Sequence, residues 1–328
     1  MQSATDSRQE ESLNRDAERR PLVSVVVPFF NSRDLLSECL AHLLRQSYGP
    51  MEILAIDDAS TEGPFDDIEA EFPAVTFIRL PVNGGFCVAA NAGIAVARGE
   101  YVALLNNDAV PQPGWLESLV ETMESSSQIG ACASKLLTMD SPPRIESAGD
   151  SYRPWRSPRG RAAGQPADAM NEPGQVFGAC AAAALYRMRA LHEVGGFDED
   201  LGSHYEDVEL SFRLWLAGYS VWYVPSAVVH HRGHASYEER AVLHQVLRND
   251  VLVYVRDMPA ALFWLFLPAL VLRQLYQFAY FGIRGATGLF VSAKIDAALQ
   301  VPRFVGKRGA TKRLRKVSLA TMMRAFAA

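Results

Sequence analysis

Three polar side chains, Asn106, Asn107 and Asp108, directly follow the apolar run Tyr101–Leu105. The run is short and is bounded by Gly99 on one side and by prolines on the other, so it predicts a buried strand rather than a helix. Polar groups at the carboxyl end of such a strand lie where open α/β sheets bind ligands. A carboxylate there suits Mg²⁺ or Mn²⁺ held jointly with the phosphate oxygens of a ligand. The same residue types are also common in turns, so the pattern alone leaves both interpretations open.

A second acidic group stands much further along the chain, at Glu206 and Asp207. Both precede a predicted helix whose apolar residues Val208, Phe212 and Trp215 share one face. Acidic residues are also favourable in a first helical turn through the helix dipole alone. If one of them is a general base, we expect only that one to face the site, because consecutive helical side chains point about 100° apart.

Two histidines, His230 and His231, end a predicted strand over residues 227–231. An imidazole nitrogen is a common ligand for divalent metal ions. A histidine at a strand end is also an ordinary polar terminus, so the spacing by itself does not decide.

The elements that must position these residues alternate along the chain. Residues 22–28, 52–57 and 76–80 are apolar runs that predict strands, and helical periodicity separates the first two. Two such strands joined by a helix form a parallel pair with a right-handed crossover. Further β-α repeats follow, and we predict an α/β fold with a mostly parallel, doubly wound sheet.

Two strand ends in this part carry further polar residues. The second strand ends in Asp57 and Asp58, and the third leads into Asn83, Gly84 and Gly85 ahead of a helix. Glycines before a helix let backbone amides approach an anion, although Asn-Gly also simply makes turns.

Residues 135–175 lack periodicity, and prolines alternate there with arginines. We expect a long irregular loop that either contacts an anionic substrate or keeps the surface soluble.

Composition narrows the class of protein. The chain has 328 residues, a net charge of −5 and 49% hydrophobic residues, which allows one large domain with an appendage. No basic and aromatic cluster indicates a nucleic-acid partner. Cys39, Cys87, Cys132 and Cys180 are widely spaced and predict reduced thiols in the cytoplasm rather than a disulfide framework or a zinc site. Residues 1–20 are polar and charged, which predicts a disordered lead rather than a secretory signal.

The carboxyl-terminal part, residues 241–328, differs from the rest. Residues 260–272 are apolar apart from Pro268, and residues 303–316 carry seven basic residues and no acidic one. Thirteen apolar residues are too few to span a bilayer, so we predict interfacial helices whose basic residues attract anionic lipid. A helical cap on the core with a solvated basic end is the alternative.

Taken together, residues 22–240 resemble family 2 inverting glycosyltransferases of GT-A fold, in particular the rhamnosyltransferase-like enzymes of bacterial cell-surface polysaccharide assembly. The resemblance implies a catalytic domain over residues 21–240. It rests on five stretches in the right order, at residues 25–31, 56–63, 83–91, 104–108 and 196–207.

The resemblance also implies a role for individual residues. Asp108 matches the metal-binding end of a DxD-like motif that reads Asn-Asn-Asp here, so its first carboxylate is missing. Asp207 matches the catalytic base, with Glu206 beside it. His231 matches a metal-ligating histidine, with His230 as the rival. The implied donor-binding set consists of Pro28, Asn31, Asp57, Asp58, Asn83, Gly84, Gly85, Asn91, Asn106 and Asn107.

The implied reaction moves a sugar, with rhamnose as one candidate, from a thymidine- or uridine-diphosphate sugar to a hydroxyl group of a glycan or lipid-linked acceptor. A divalent cation, Mg²⁺ or Mn²⁺, stabilises the leaving diphosphate, and a carboxylate base on the opposite face of the sugar produces inversion by single displacement. A retaining double displacement needs a second, nucleophilic carboxylate, for which the sequence offers no distinct candidate. The expected location is cytoplasmic, peripherally bound to the inner face of the plasma membrane.

Two other functions remain open. A nucleotidyltransferase would share the sheet and the metal, but it would carry a glycine- and arginine-rich loop where this chain has Pro28-Phe-Phe-Asn31. A non-catalytic, membrane-bound scaffold with a transferase-like fold is the other alternative. The presence of Asp108, Asp207 and His231 together argues against it.

Overall fold

A computed structural model describes residues 20–63, 66–233 and 239–328. The predicted disordered lead, apart from Arg20, lies outside the described residues. The strands are β1 Val23–Phe29, β2 Met51–Asp57, β3 Val75–Arg79, β4 Tyr101–Leu105, β5 Ala109–Pro111, β6 Ile129–Thr138, β7 Ile145–Ala148, β8 Asp150–Arg153, β9 Arg156–Gly160, β10 Gly174–Val176, β11 Ala183–Arg187 and β12 Ser220–His231. The helices are α1 Arg33–Leu43, α2 Asp66–Glu71, α3 Phe86–Val96, α4 Trp115–Glu124, α5 Met188–Val194, α6 Glu206–Ala217, α7 Glu239–Asp257, α8 Ala260–Ile283, α9 Thr287–Leu314 and α10 Leu319–Ala325.

One large sheet runs through the molecule in the order β10-β12-β6-β11-β4-β1-β2-β3, with β5 beside β12 and β7 beside β6. Strands β4, β1, β2 and β3 are parallel to one another. Strand β11 is antiparallel to both β4 and β6, because the chain between β6 and β11 returns through short strands instead of a helical crossover. The predicted α/β class is therefore confirmed, and the sheet is parallel in one half and mixed in the other.

The two faces of the sheet carry two hydrophobic cores. All seven residues of β1 are buried, and they alternate between the faces, with Val26 in one core and Val25 and Val27 in the other. A strand buried on both faces favours apolar residues on both of them, which explains the run of three valines at residues 25–27.

Residues 135–175 were predicted to be an irregular loop, but they contain strands β7, β8 and β9 and parts of β6 and β10. Strand β6 continues to Thr138, β7 pairs with β6, and β8 pairs with β9. Their periodicity is invisible in the sequence because each strand is short and is stabilised by its neighbours. This hairpin region brings Glu146 and Asp150 to the carboxyl edge of the sheet.

The apolar segment near residue 260 is longer than predicted. Helix α8 has 24 residues and continues through Pro268, and by length and composition it is long and apolar enough to cross a membrane. The prediction of an apolar segment too short to span is therefore wrong. A proline removes one helical N–H donor, but the turns on both sides keep α8 continuous.

The carboxyl-terminal helices pack on the rest of the fold. Phe326 follows α10, and its ring lies 5.5 Å from that of Tyr152 and 5.8 Å from that of Phe212. In the middle of α8, Arg273 forms a buried ion pair of 2.9 Å with Asp250 of α7. Part of the basic run is engaged by acids of the core, through the pairs Arg303–Asp200, Lys307–Asp198, Lys307–Asp200 and Lys316–Glu193.

Candidate active site

A cavity of about 370 Å³ opens at the carboxyl ends of β1, β2 and β4 and at the end of β12. This edge is where an open α/β sheet binds ligands. The polar groups that line it come from distant parts of the chain: Asp58, Asn106, Asn107, Asp108, Glu146, Asp150, Glu206, Asp207 and His231.

Asp108 and His231 lie next to each other on one side of the cavity. Strand β12 pairs with β5, and His231 is in register with Ala109, the residue after Asp108. His231 Nε2 lies 3.1 Å from Asp108 Oδ1 and 3.2 Å from the side-chain nitrogen of Asn106. His230 does not line the cavity, and its ring contacts Gln112 instead. Because neighbouring strand residues point to opposite faces, the geometry favours His231 over His230.

Glu146 holds the other nitrogen of the His231 ring, with Nδ1 lying 2.9 Å from Glu146 Oε2. Burial alone would lower the pKa of His231, but its hydrogen bonds to Asp108 and Glu146 outweigh burial and raise the pKa to about 10. A carboxylate on the far nitrogen is the usual way in which a protein orients a metal-binding histidine.

These residues fit a divalent metal ion. A carboxylate oxygen of Asp108 and Nε2 of His231 converge, and an oxygen–nitrogen set completed by phosphate oxygens suits Mn²⁺ or Mg²⁺. Asn107 has its side-chain nitrogen buried without a partner in the described structure, which leaves it available for a ligand oxygen.

Asp207 and Glu206 begin α6 on the other side of the cavity. Both line the cavity, with Glu206 buried and Asp207 half-buried, so the prediction that only one of them faces the site is wrong. The cavity wraps around the first helical turn and meets side chains that point in different directions. Asp207 accepts the backbone N–H groups of Val208 at 2.7 Å and Ala181 at 3.4 Å, whereas Glu206 Oε2 has no partner in the described residues. Backbone donors favour the ionised form, so Asp207 is the more readily ionised of the two.

Asp150 was not identified as a site residue from the sequence. Its carboxyl group, the Asp207 carboxyl group and the Cys180 thiol have ligand atoms within 4.8 Å of one another. Burial raises the pKa of Cys180 well above its ordinary value, so the thiol is protonated at neutral pH and is a poor metal ligand. Glu146 and Asp150 both lie in the segment that shows no periodicity. The sequence signal that could have identified them as site residues was a pair of acids among small and apolar residues.

Part of the predicted donor set lies at the wall of the cavity. Pro28 and Asp58 line it, and the Asp58 carboxylate accepts the backbone N–H groups of Gly84 at 2.7 Å and Gly85 at 2.8 Å. The two glycine amides are therefore engaged by Asp58, and the expectation that they approach an anion is not supported. Asn83 is exposed and does not line the cavity.

The remaining members of the donor set tie loops together. Asn31 accepts the backbone N–H groups of residues 61 and 62, and Asp57 accepts that of Ser60 at 2.7 Å. Asn91 lies outside the cavity lining, where it bonds to both backbone groups of Phe197 and joins α3 to the loop before α6. These residues support the site rather than line it.

Comparisons with known proteins agree with this geometry. A sequence model described as Glycosyl transferase family 2 matches residues 24–195, more than half of the chain. Glycosyltransferase GlyG of Streptococcus pneumoniae serotype 4 is 34% identical over 106 residues, which cover 31% of this chain and only 35% of GlyG. N-acetylglucosaminyl-diphospho-decaprenol L-rhamnosyltransferase of Mycobacterium tuberculosis is 26% identical over 264 residues, or 72% of this chain and 84% of that enzyme.

The fold has a solved counterpart in the mannosyltransferase PcManGT of Pyrobaculum calidifontis, in complex with GDP-Man and Mn²⁺. The two structures superpose with a TM-score of 0.55 at 19% identity, over 93% of this chain and 87% of that one. This likeness confirms the predicted GT-A fold. With the family match over residues 24–195, it follows that the chain belongs to glycosyltransferase family 2.

Proposed function

We propose that this protein transfers a sugar from a nucleoside-diphosphate donor to a hydroxyl group of a glycan or lipid-linked acceptor, with inversion of the anomeric centre. The observation that carries the proposal is the cavity itself, where the Asp108–His231 pair and Asp207 face the same space from different elements. Metal ligands and a base in one cavity are what transfer from a diphosphate requires.

The donor occupies the side formed by Pro28, Asp58 and Asn106–Asp108. In this pose its base and ribose lie near Asp58, and its diphosphate lies near Asp108 and His231. A divalent cation bound by these two residues supplies charge neutralisation for the leaving diphosphate. Asn107 offers a side-chain N–H group to a donor oxygen, because the nitrogen is buried and has no partner in the described structure.

The acceptor hydroxyl group approaches from the side of α6. Asp207 accepts its proton while the hydroxyl oxygen bonds to the anomeric carbon and the bond from that carbon to the diphosphate oxygen breaks. Burial raises the pKa of Asp207, which moves it towards the operating pH and makes the carboxylate a stronger base than an exposed aspartate.

Asp150 changes the argument for inversion. The sequence offered no distinct second carboxylate for double displacement, and the structure provides one beside Asp207. A nucleophilic carboxylate must be ionised, however, and burial and the nearby Asp207 charge raise the pKa of Asp150 well above its ordinary value. Inversion is therefore supported by the protonation of Asp150 rather than by the absence of a candidate.

The identity of the sugar and acceptor is proposed from the relatives. The Mycobacterium tuberculosis relative is named as a rhamnosyltransferase that acts on a diphospho-decaprenol-linked sugar. We therefore place rhamnose first among the donor sugars and a lipid-linked glycan first among the acceptors.

We further propose that the protein binds the inner face of the cytoplasmic membrane through α8 and α9. The outer face of these helices carries large exposed apolar residues, among them Trp264, Leu272, Leu275 and Leu299, which are 61–75% exposed. The buried Arg273–Asp250 pair holds the middle of α8 to the core. That attachment favours a helix lying on the membrane over one crossing it, although α8 has the length to cross.

A thermal-shift screen tests the proposal. Thymidine-diphosphate rhamnose, UDP-N-acetylglucosamine and GDP-mannose are added with and without Mn²⁺, because a ligand of the folded state raises its apparent stability. We expect at least one donor to stabilise the protein, with a larger shift when Mn²⁺ is present. A nucleoside triphosphate that binds and is cleaved in place of every nucleotide-sugar would support a nucleotidyltransferase. Binding without hydrolysis or transfer of any donor would support the non-catalytic scaffold.

A further inference from the structure

Asp150 is fixed rigidly at the wall of the cavity. Its backbone N–H donates to the Gly178 carbonyl at 2.8 Å, and its own carbonyl accepts the Gly178 N–H at 3.2 Å. The residue is 6% exposed and lines the cavity. Its Oδ1 has only a long contact of 3.5 Å from the Ser147 hydroxyl, and its Oδ2 has no partner within the described part of the chain. A buried polar atom without a partner costs free energy unless a ligand satisfies it.

The groups around Asp150 are acidic or neutral. Asp207 and Glu206 face it from α6, Glu146 from β7, and Cys180 and Tyr186 from the chain entering and forming β11. No ion pair reaches Asp150 or Asp207 from any lysine, arginine or histidine in residues 20–63, 66–233 or 239–328. The ligand atoms of buried Asp150 and half-buried Asp207 lie within 4.8 Å of each other. Like charges this close disfavour the ionisation of both groups when no cation compensates them, so one of the two holds a proton.

The hydrogen bonds indicate which one. Asp207 receives two backbone N–H groups, which stabilise a carboxylate, whereas Asp150 receives none on its side chain. Burial and the charge of Asp207 raise the pKa of Asp150 well above its ordinary value. Asp207 is therefore the ionised member of the pair.

We propose that Asp150 is a neutral carboxylic acid in the working enzyme and that its O–H group donates a hydrogen bond to an acceptor oxygen beside Asp207. The inference deepens the proposed glycosyl transfer and rests on it for the identity of the ligand. Asp150 then selects acceptors that present an oxygen atom next to the attacking hydroxyl group, as a sugar with neighbouring hydroxyl groups does. Asp207 remains the only ionised carboxylate in contact with the acceptor.

The protonation is measured without any substrate. The whole chain is labelled with ¹³C at the aspartate side-chain carboxyl carbon, and the resonance missing from Asp150→Asn is assigned to Asp150. We expect this resonance to keep the chemical shift of a protonated acid at pH 7 and to move only at higher pH. A resonance at the ionised position at pH 7 would overturn the proposal. Asp150→Glu removes the same labelled carbon and retains an acid, so it provides the assignment if the asparagine variant does not fold.

The hydrogen bond is measured in transfer from the donor that gave the largest thermal shift to an N-acetylglucosaminyl-diphospho lipid, whose sugar has neighbouring hydroxyl groups. Losing a donated hydrogen bond to a buried oxygen lowers the rate on the order of ten- to a hundred-fold. We therefore expect the rate of the Asp150→Ala variant to be lower than that of the native protein by this factor. Asp150→Asn keeps an N–H donor of the same shape and should recover part of the loss. The activity of the native protein should also fall at alkaline pH as Asp150 loses its proton, and this alkaline loss should be absent from Asp150→Asn.

Equal losses in the two variants, with no change in the alkaline limb, would show that the charge of Asp150 is what matters and would contradict the proposal. The absence of transfer from every donor would contradict the proposed function, while the ¹³C measurement would still decide the protonation state.

Discussion

The carboxyl groups on the two sides of the cavity differ in their partners. On the metal side, Asp108 and Glu146 flank His231, and each lies within 3.1 Å of a ring nitrogen. On the base side, Asp150 and Glu206 each have a buried oxygen without a partner among the described residues. No lysine, arginine or histidine within the same residues forms an ion pair with Asp207.

The difference shows how one edge of the sheet can serve two kinds of chemistry. A carboxylate that converges with an imidazole nitrogen suits a metal ion. Unpaired, buried carboxyl groups have raised pKa values and suit the transfer or donation of a proton. Each prediction below disturbs one side and leaves the other as its reference.

The largest effect is expected on the metal side. Asp108→Ala removes the one carboxylate that converges with Nε2 of His231, so Mn²⁺-dependent transfer should be abolished. The measurement is product formation with and without a chelator. Activity that survives both the substitution and the chelator would show that transfer does not depend on a metal ion. His230→Ala is the matched control for His231→Ala, and only the latter should reproduce the loss.

On the base side, Asp207→Asn should lower turnover by about a hundred- to ten-thousand-fold, the range for a positioned general base. Donor affinity, followed by thermal shift with Mn²⁺, should change little because Asp207 lies away from the metal side. Glu206→Gln is the control and should have the smaller effect. The reverse order of the two losses would identify Glu206 as the base.

Glu146→Gln tests how far the metal side depends on orientation. A group that orients a metal-binding histidine typically changes metal affinity by about 10- to 100-fold, so Mn²⁺ should bind correspondingly more weakly. The readout is titration of Mn²⁺ by electron paramagnetic resonance in the presence of UDP. Glu117→Gln changes the same chemical group on α4, where it pairs with Arg20, and should leave Mn²⁺ affinity as it was. Equal affinities for the two variants would show that Glu146 does not orient His231.

The smallest effect on chemistry is expected outside the cavity. Leu272→Asp and Leu275→Asp place charges on the exposed face of α8 and should weaken binding to vesicles that contain anionic phospholipid several-fold, with donor hydrolysis preserved. Val96→Asp is a matched control, because Val96 is also exposed, at 49%, but lies on α3. Substitutions are preferable to deletion of residues 258–328, since Phe304, Met322 and Phe326 belong to the hydrophobic core.

Sequence reasoning succeeded where the signal is local. An apolar run that ends in polar residues predicts both a buried strand and a position at the sheet edge, which is how β4 and Asp108 were found. Glu146 and Asp150 were missed because β7 and β8 are strands of four residues, too short to show a periodic pattern, and are defined by their pairing with β6 and β9. The same limit applies to Lys307, whose part in a lipid-binding basic run could be predicted from the sequence but whose pairing with Asp198 could not.

The stereochemistry of transfer tests the central claim most directly. The account assigns an ionised base to Asp207 and a neutral acid to Asp150, so a single displacement must invert the anomeric centre. The anomeric configuration of the newly formed glycosidic bond, read by proton nuclear magnetic resonance, should be opposite to that of the donor. A product that keeps the donor's configuration would contradict the account.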